Sequence, residues 1–138
     1  SIDMFDELEV FKGKSFSGLL KDIYKNSAEK EKQIKILIGE LRPLIKNIGD
    51  ATIIVPLIKE YMEIGVKNDE QLVKMAAVVQ RAVAANKSSD SNEFLLSDEE
   101  KKQLLDEINK FEDTDDDFDK DLESTLNKAD EAIKNGLG

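Results

Sequence analysis

The feature that most constrains this chain is a hydrophobic rhythm with the period of a helix. Apolar residues recur at three- and four-residue steps through two long stretches. The first reads Leu20, Ile23 or Tyr24, Ser27, Ile34, Leu37 or Ile38, Leu41, Leu44 or Ile45, and Ile48. The second reads Ile54, Leu57 or Ile58, Tyr61, Ile64 or Gly65, Leu72, Met75 or Ala76, Val79, and Ala82 or Val83. The spacing predicts one helix from about Ser17 to Ile48, capped by Ser15 or Ser17, and a second from Asp50 or Thr52 to about Ala85. Gly49 follows the last apolar residue of the first stripe and is expected to end that helix in the left-handed conformation. A connection of two or three residues forces an antiparallel hairpin. Pro43 and Pro56 flank the turn and are expected to bend both arms.

The remainder is organised around that hairpin. Residues 1–14 form a flexible N-terminal segment in which Phe5, Leu8 and Phe11 share an amphipathic turn. The hairpin occupies 15–86, and the polar run over 87–96 is a linker by composition. Residues 97–138 form an acidic helical tail, opened by a capping box of Ser97 and Glu100. Within it a short helix carries Leu104, Leu105, Ile108 and Phe111. The run EDTDDDFDKD interrupts, and another helix carries Phe118, Leu122, Leu126, Ala129 and Ile133. The fold class is therefore all-α, a long coiled-coil-like antiparallel hairpin followed by a linker and short acidic helices. Only 7 Gly and 2 Pro in 138 residues argue against a turn-rich β fold.

Charge and composition then narrow the function. The net charge of -10 is uneven: residues 12–87 carry 14 Lys and Arg against 9 Asp and Glu, whereas residues 96–138 carry 6 against 15. A mildly basic body joined to an acidic tail points to interaction surfaces. Cysteine and histidine are both absent, which removes disulfides, thiolate nucleophiles, the commonest zinc ligands and the commonest general base. There is no phosphate-binding glycine loop and no nucleophile elbow. An enzyme and a cofactor are not expected. No apolar run of about 18 residues is available to span a membrane, and the opening SIDMFDELEVF is acidic, unlike a signal peptide. The expected location is cytoplasmic, the host's cytoplasm if the chain is viral.

Three local patterns compete for a role. The acidic run places Asp113, Asp115, Asp117 and Asp121 at the first, third, fifth and ninth positions of a calcium loop. Phe118 stands where the loop needs glycine, and Ser124 where it needs the bidentate glutamate, so a solvated acidic helix is the better reading. Lys21, Lys25, Lys32 and Lys35 cluster near one face of the first helix and are candidate DNA contacts, although Glu29 and Glu31 interleave and favour a simply solvated face. The last pattern is an excess of apolar residues. Ile53, Ile54, Val55, Leu57 and Ile58, or Leu72, Val73, Met75, Val78 and Val79, cover more of the second helix than one partner helix can bury. Either the tail folds back over them or other subunits do.

The stretch LIKNIGDATIIVPLIKEYMEIGVKNDEQLVK, with the preceding DIYKNSAEKEKQI, resembles the core of the small terminase subunit of phages with contractile tails. The likeness covers roughly residues 20–85 and rests on pattern. It implies a ring-forming homo-oligomer without catalysis that holds double-stranded viral DNA during genome packaging. Such a subunit regulates the ATPase and nuclease of the large terminase subunit. Leu37, Leu41, Leu44, Leu57, Tyr61, Leu72, Met75 and Val79 would then hold the hairpin and its neighbours together. The short N-terminal segment departs from the family, which often places DNA recognition there. The competing expectation is an acidic helical adaptor: a phage transcription accessory factor, a DNA mimic or an assembly chaperone. Its basic protein partner would meet Asp113, Asp115, Asp116, Asp117, Asp119 and Asp121, with Phe111 and Phe118 as anchors.

Overall fold

The structure is a computed structural model that describes the backbone over residues 9–11, 14–87 and 97–137, and the side chains of 18–81, 84 and 97–137. Most of the expected linker, the turn around Phe5 and Leu8, and the Ser15 and Ser17 side chains lie outside the described residues. The described residues are all-α apart from one small hairpin. Strand β1 (Glu9–Phe11) pairs antiparallel with β2 (Lys14–Ser15). Among the described residues three α-helices follow: α1 (Phe16–Leu41), α2 (Ile48–Lys87) and α3 (Asp98–Gly136).

The connection between α1 and α2 falls earlier than expected. Pro43 lacks an amide hydrogen and its ring would clash with the carbonyl one turn back. Thus α1 ends at Leu41, and Arg42–Leu44 form a single 3-10 turn closed by the Ile45 amide donating to the Arg42 carbonyl at 3.2 Å. Pro43 ends its helix where a bend was expected. Asn47 then caps α2: the Asp50 amide donates to its Oδ1 at 2.8 Å, and the Lys46 amide donates to Asp50 Oδ2 at 3.2 Å. This reciprocal pair is a variant of the capping box, and it makes Asn47 the cap in place of Asp50 or Thr52. The Thr52 hydroxyl instead donates back to the Ile48 carbonyl at 2.9 Å. Gly49 lies inside the first turn of α2, and the only left-handed glycine among the described residues is Gly136. A Cβ on Gly49 would sit 3.2 Å from Asn47 Oδ1, so the missing side chain leaves room for the cap. Helix α2 continues through Pro56.

The two short acidic helices expected after the linker are one helix of 39 residues. The apolar register passes unbroken through the acidic run: Leu104, Ile108, Phe111, Asp115, Phe118, Leu122, Thr125 and Ala129 alternate steps of four and three. Ser97 does cap this helix, accepting from the Glu100 amide at 3.1 Å and donating to Glu100 Oε1 at 3.1 Å.

The chain divides into two compact units, to each of which all three helices contribute. In the unit built from residues 1–26 and 71–114, Leu19, Ile23, Met75, Val78, Leu104, Ile108 and Phe111 form a buried core, with Leu20 and Leu72 packed against it. In the unit built from 27–70 and 115–138, the core is Ile34, Leu41, Ile54, Leu57, Tyr61, Ile64, Leu122 and Ala129. Here α1 and α2 run antiparallel, as the pairings of Ser27 with Asn68 and of Ile34 with Gly65 require. The stretch expected to be a tail thus supplies core residues to both units.

Candidate functional site

Two features of the second unit and one of the first carry chemical information. The second unit contains a buried polar layer. Along α1 the interior register reads Ile23, Ser27, Lys30, Ile34, so a serine and a lysine fall on inward positions. Asn68 does the same on α2 and is 0% exposed; its Nδ2 donates to the Ser27 carbonyl at 3.0 Å, while its Oδ1 has no partner among the described residues. Asp115 and Phe118 complete the layer from α3. The Lys30 ammonium lies 3.3 Å from the Asp115 carbonyl, 3.4 Å from Asp115 Oδ1 and 3.3 Å from Asp119 Oδ1, and 5.4 Å from the centre of the Phe118 ring. A cation this deep is held by two carboxylates and a π face. Burial pushes the Asp115 carboxyl above the ordinary carboxylate range; Lys30 pulls it back by charge and hydrogen bond, and Asp119 and Asp116 push it up again.

Nearby in the same core, Tyr61 is 1% exposed and its hydroxyl has no hydrogen-bond partner among the described residues. Its pKa is raised, first by burial and then by the negative charges of Asp130, Glu40 and Glu60. Glu60 itself is held by α3, accepting from Lys128 Nζ at 3.1 Å and from the Thr125 hydroxyl at 3.4 Å.

The second feature is an apolar stripe left on the outer face of α2. Ile48, Val55, Met62 and Val66 share one side with Thr52 and Lys59, at alternating steps of four and three. Ile48 is 87% exposed and the other three are more than half exposed. The opposite side of α2 carries Ile54, Leu57, Tyr61 and Ile64 into the core, so this helix has two apolar seams. The folding back of α3 covers only the inner one. In the first unit Val73, on the same helix, is 70% exposed.

The third feature is a groove of 360 Å³ in the first unit, lined by α2 and α3. Val78 and Phe111 form its floor with Ala77, and Lys74, Arg81, Lys110 and Glu107 surround it. Arg81 and Glu107 form an ion pair.

The residues singled out from sequence divide accordingly. Leu41, Leu57, Tyr61 and Met75 are buried in the chain's own cores, and Leu37, Leu44, Leu72 and Val79 are partly buried. Lys21, Lys25, Lys32 and Lys35 are all exposed on α1, Lys35 pairing with Glu31 at 3.4 Å. Asp113, Asp116, Asp117, Asp119 and Asp121 are exposed, whereas Asp115 faces Lys30. Phe111 and Phe118 are 5% and 4% exposed, which corrects their expected role as protruding anchors: they lie on the inward register of α3. The run from Asp113 to Ser124 is helical, so its carboxylates radiate around an axis and do not converge as a calcium loop requires. No described helix is long and apolar enough to cross a membrane. Sequence reasoning missed Lys30 and Asn68, and of the outer stripe it had the apolar excess at Val55 and Val73 but not the register that joins Val55 to Ile48, Met62 and Val66. The signal for the first two was a polar residue falling on an inward step.

Comparison of the chain with protein-family models, with curated proteins and with solved structures finds no match.

Proposed function

We propose that this chain is a non-catalytic assembly subunit that associates with copies of itself through the outer face of α2. The observation that carries this is the stripe of Ile48, Val55, Met62 and Val66, apolar and exposed after α3 has folded back. From Ile48 to Val66 it runs about 27 Å, the contact length of a short coiled-coil seam. Its alternation of four- and three-residue steps lets a second helix lie along it, with the Lys59 stem covering apolar neighbours while its ammonium stays wet. The resemblance to small terminase subunits gives the specific form of the proposal: a ring that holds double-stranded DNA, with Lys21, Lys25, Lys32 and Lys35 as phosphate contacts, and that regulates a large terminase subunit. A second reading is favoured by the exposed carboxylates of Asp113, Asp116, Asp117, Asp119 and Asp121, which would suit an adaptor for a basic protein surface.

The test is the absolute mass of the full chain by size-exclusion chromatography with light scattering, beside a Met62→Asp/Val66→Asp variant. The expected result is a discrete oligomer for the parent and a smaller species for the variant, with equal helicity by circular dichroism. A parent that stays monomeric across concentration and salt refutes self-assembly and leaves the adaptor. For an oligomer, DNA binding that falls when Lys32 and Lys35 become Glu supports the packaging form, and binding indifferent to those changes opposes it.

A further inference from the structure

We propose that the groove between α2 and α3 in the first unit binds an acidic amphipathic peptide segment of a partner protein. On α2 its wall is Lys74, Ala77, Val78 and Arg81; on α3 it is Glu107, Lys110, Phe111 and Thr114. Each set follows steps of three, one and three residues, so each presents one face over two turns, about 10 Å of helix. Ala77 is exposed, and its small side chain leaves the hollow open above Val78 and Phe111. The volume of 360 Å³ is at the lower end for a specific pocket and takes one or two large apolar side chains.

The rim specifies the sign of the ligand. Arg81 is paired with Glu107, which uses only part of its five-donor fork. Lys74 and Lys110 have no ion pair among the described residues, so the groove carries two uncompensated cations around an apolar floor. In a chain of net charge -10 that is a local reversal of sign. The matching ligand presents carboxylates about 10 Å apart, opposite Lys74 and Arg81, with a large apolar side chain between them. On a helical segment this is an acidic residue at i and i+7 and Leu or Phe at i+3 and i+4. A polyanion such as nucleic acid fits this groove less well, because it brings no apolar side chain for the floor. Two carboxylates on an apolar segment need only the cations at contact, since charges beyond about 10 Å are screened at physiological salt.

The probe is a fluorescein-labelled helical peptide carrying Glu at i and i+7 and Leu at i+3 and i+4, titrated with full-length protein by fluorescence anisotropy. Saturable binding is expected, weakening as salt rises. Replacing both glutamates of the peptide by glutamine is expected to weaken it about tenfold or more, the scale of one charge-assisted contact. Ala77→Trp, which fills the hollow without changing charge, is expected to do the same, as is Lys74→Glu, which reverses a cation that one of the carboxylates meets. Absence of saturable binding at low salt overturns the proposal. So does equal affinity for the glutamine peptide, and so does an Ala77→Trp protein that binds like the parent while keeping its helicity. The peptide substitution and Ala77→Trp decide the matter should the charge reversal fail to fold.

Discussion

Tyr61→Phe removes one oxygen atom from the middle of a core and nothing else. That oxygen is buried and has no hydrogen-bond partner among the described residues, so folding strips it of water and gives nothing back. Leaving a hydroxyl unsatisfied in this way costs about 1–3 kcal/mol, whereas deleting a satisfied one would cost about 0.5–1.5 kcal/mol. The substitution keeps the ring, and with it the packing against Ile54, Leu57 and Ile64. The expected change is thus a stabilisation of about 1–2 kcal/mol. With an unfolding entropy of about 2.1 cal/mol/K per residue, a chain of 138 residues responds by roughly 3–7 °C in Tm. Thermal unfolding followed by circular dichroism measures it directly. A second readout comes from pH. The Tyr61 pKa is raised in the folded state by burial and by Asp130, Glu40 and Glu60, so the unfolded chain ionises first as pH rises through 10. The parent therefore loses stability above pH 10 that the Phe variant retains, and the gap between them is flat at neutral pH and widens in alkali. A fall in Tm on Tyr61→Phe, or a gap that does not change above pH 10, would refute the reasoning and show that the hydroxyl is satisfied in solution.

Two further outcomes follow from the same interior. Lys30→Met leaves Asp115 facing the core without its cation, with an expected loss of about 2–3 kcal/mol, below the full cost of breaking a buried pair because Asp115 and Asp119 keep some water. Asp115 is already raised by burial, so this deficit is complete above its folded pKa, shrinks as pH falls through that value, and levels off below the ordinary carboxylate range, where both states are protonated; urea unfolding at several pH values reads it, and a pH-independent deficit contradicts the account. Asn47→Ala removes the cap of α2 and its Oδ1 as acceptor of the Asp50 amide, for an expected loss of about 1 kcal/mol in the same assay, whereas Thr52→Ala, which touches no cap, is expected to cost much less.

The helical class, the antiparallel hairpin and most of its core were legible because a period of three and four residues is a direct consequence of helix geometry. Leu41, Leu57, Tyr61 and Met75 could be read from it without further knowledge. What was misread shares one cause, the weighing of local composition against register. The acidic run from Glu112 to Asp121 looks like a break, yet Phe111, Asp115, Phe118 and Leu122 keep inward steps of four, three and four through it. A helix needs its inner face to persist and is indifferent to what the outer one carries. Gly49 was misread in the same way. A glycine after an apolar residue suggests a helix end, but Pro43 had already ended α1, and the glycine serves the cap of the next helix.

The buried polar layer and the outer stripe of α2 bear on a single physical question, how a helix with two apolar seams chooses which one faces inward. Transfer of apolar area alone does not decide it strongly, because Ile48, Val55, Met62 and Val66 would bury much as Ile54, Leu57 and Ile64 do. Polar groups that fit one arrangement decide it. With the observed side inward, Asn68 meets the Ser27 carbonyl and Lys30 meets Asp115 on α3. Turned by half a circumference, α2 would present Lys59 and Asp69 to the interior and carry Asn68 away from its acceptor, leaving polar groups desolvated without partners. A modest loss of stability is expected from Asn68 Oδ1, which has no hydrogen-bond partner among the described residues, in exchange for a unique register, the role best attested for a single buried asparagine between helices. Fixing the inner seam also fixes the outer one, so a layer at Asn68 and Lys30 that favours this register also favours leaving Met62 and Val66 on the surface, where they are found.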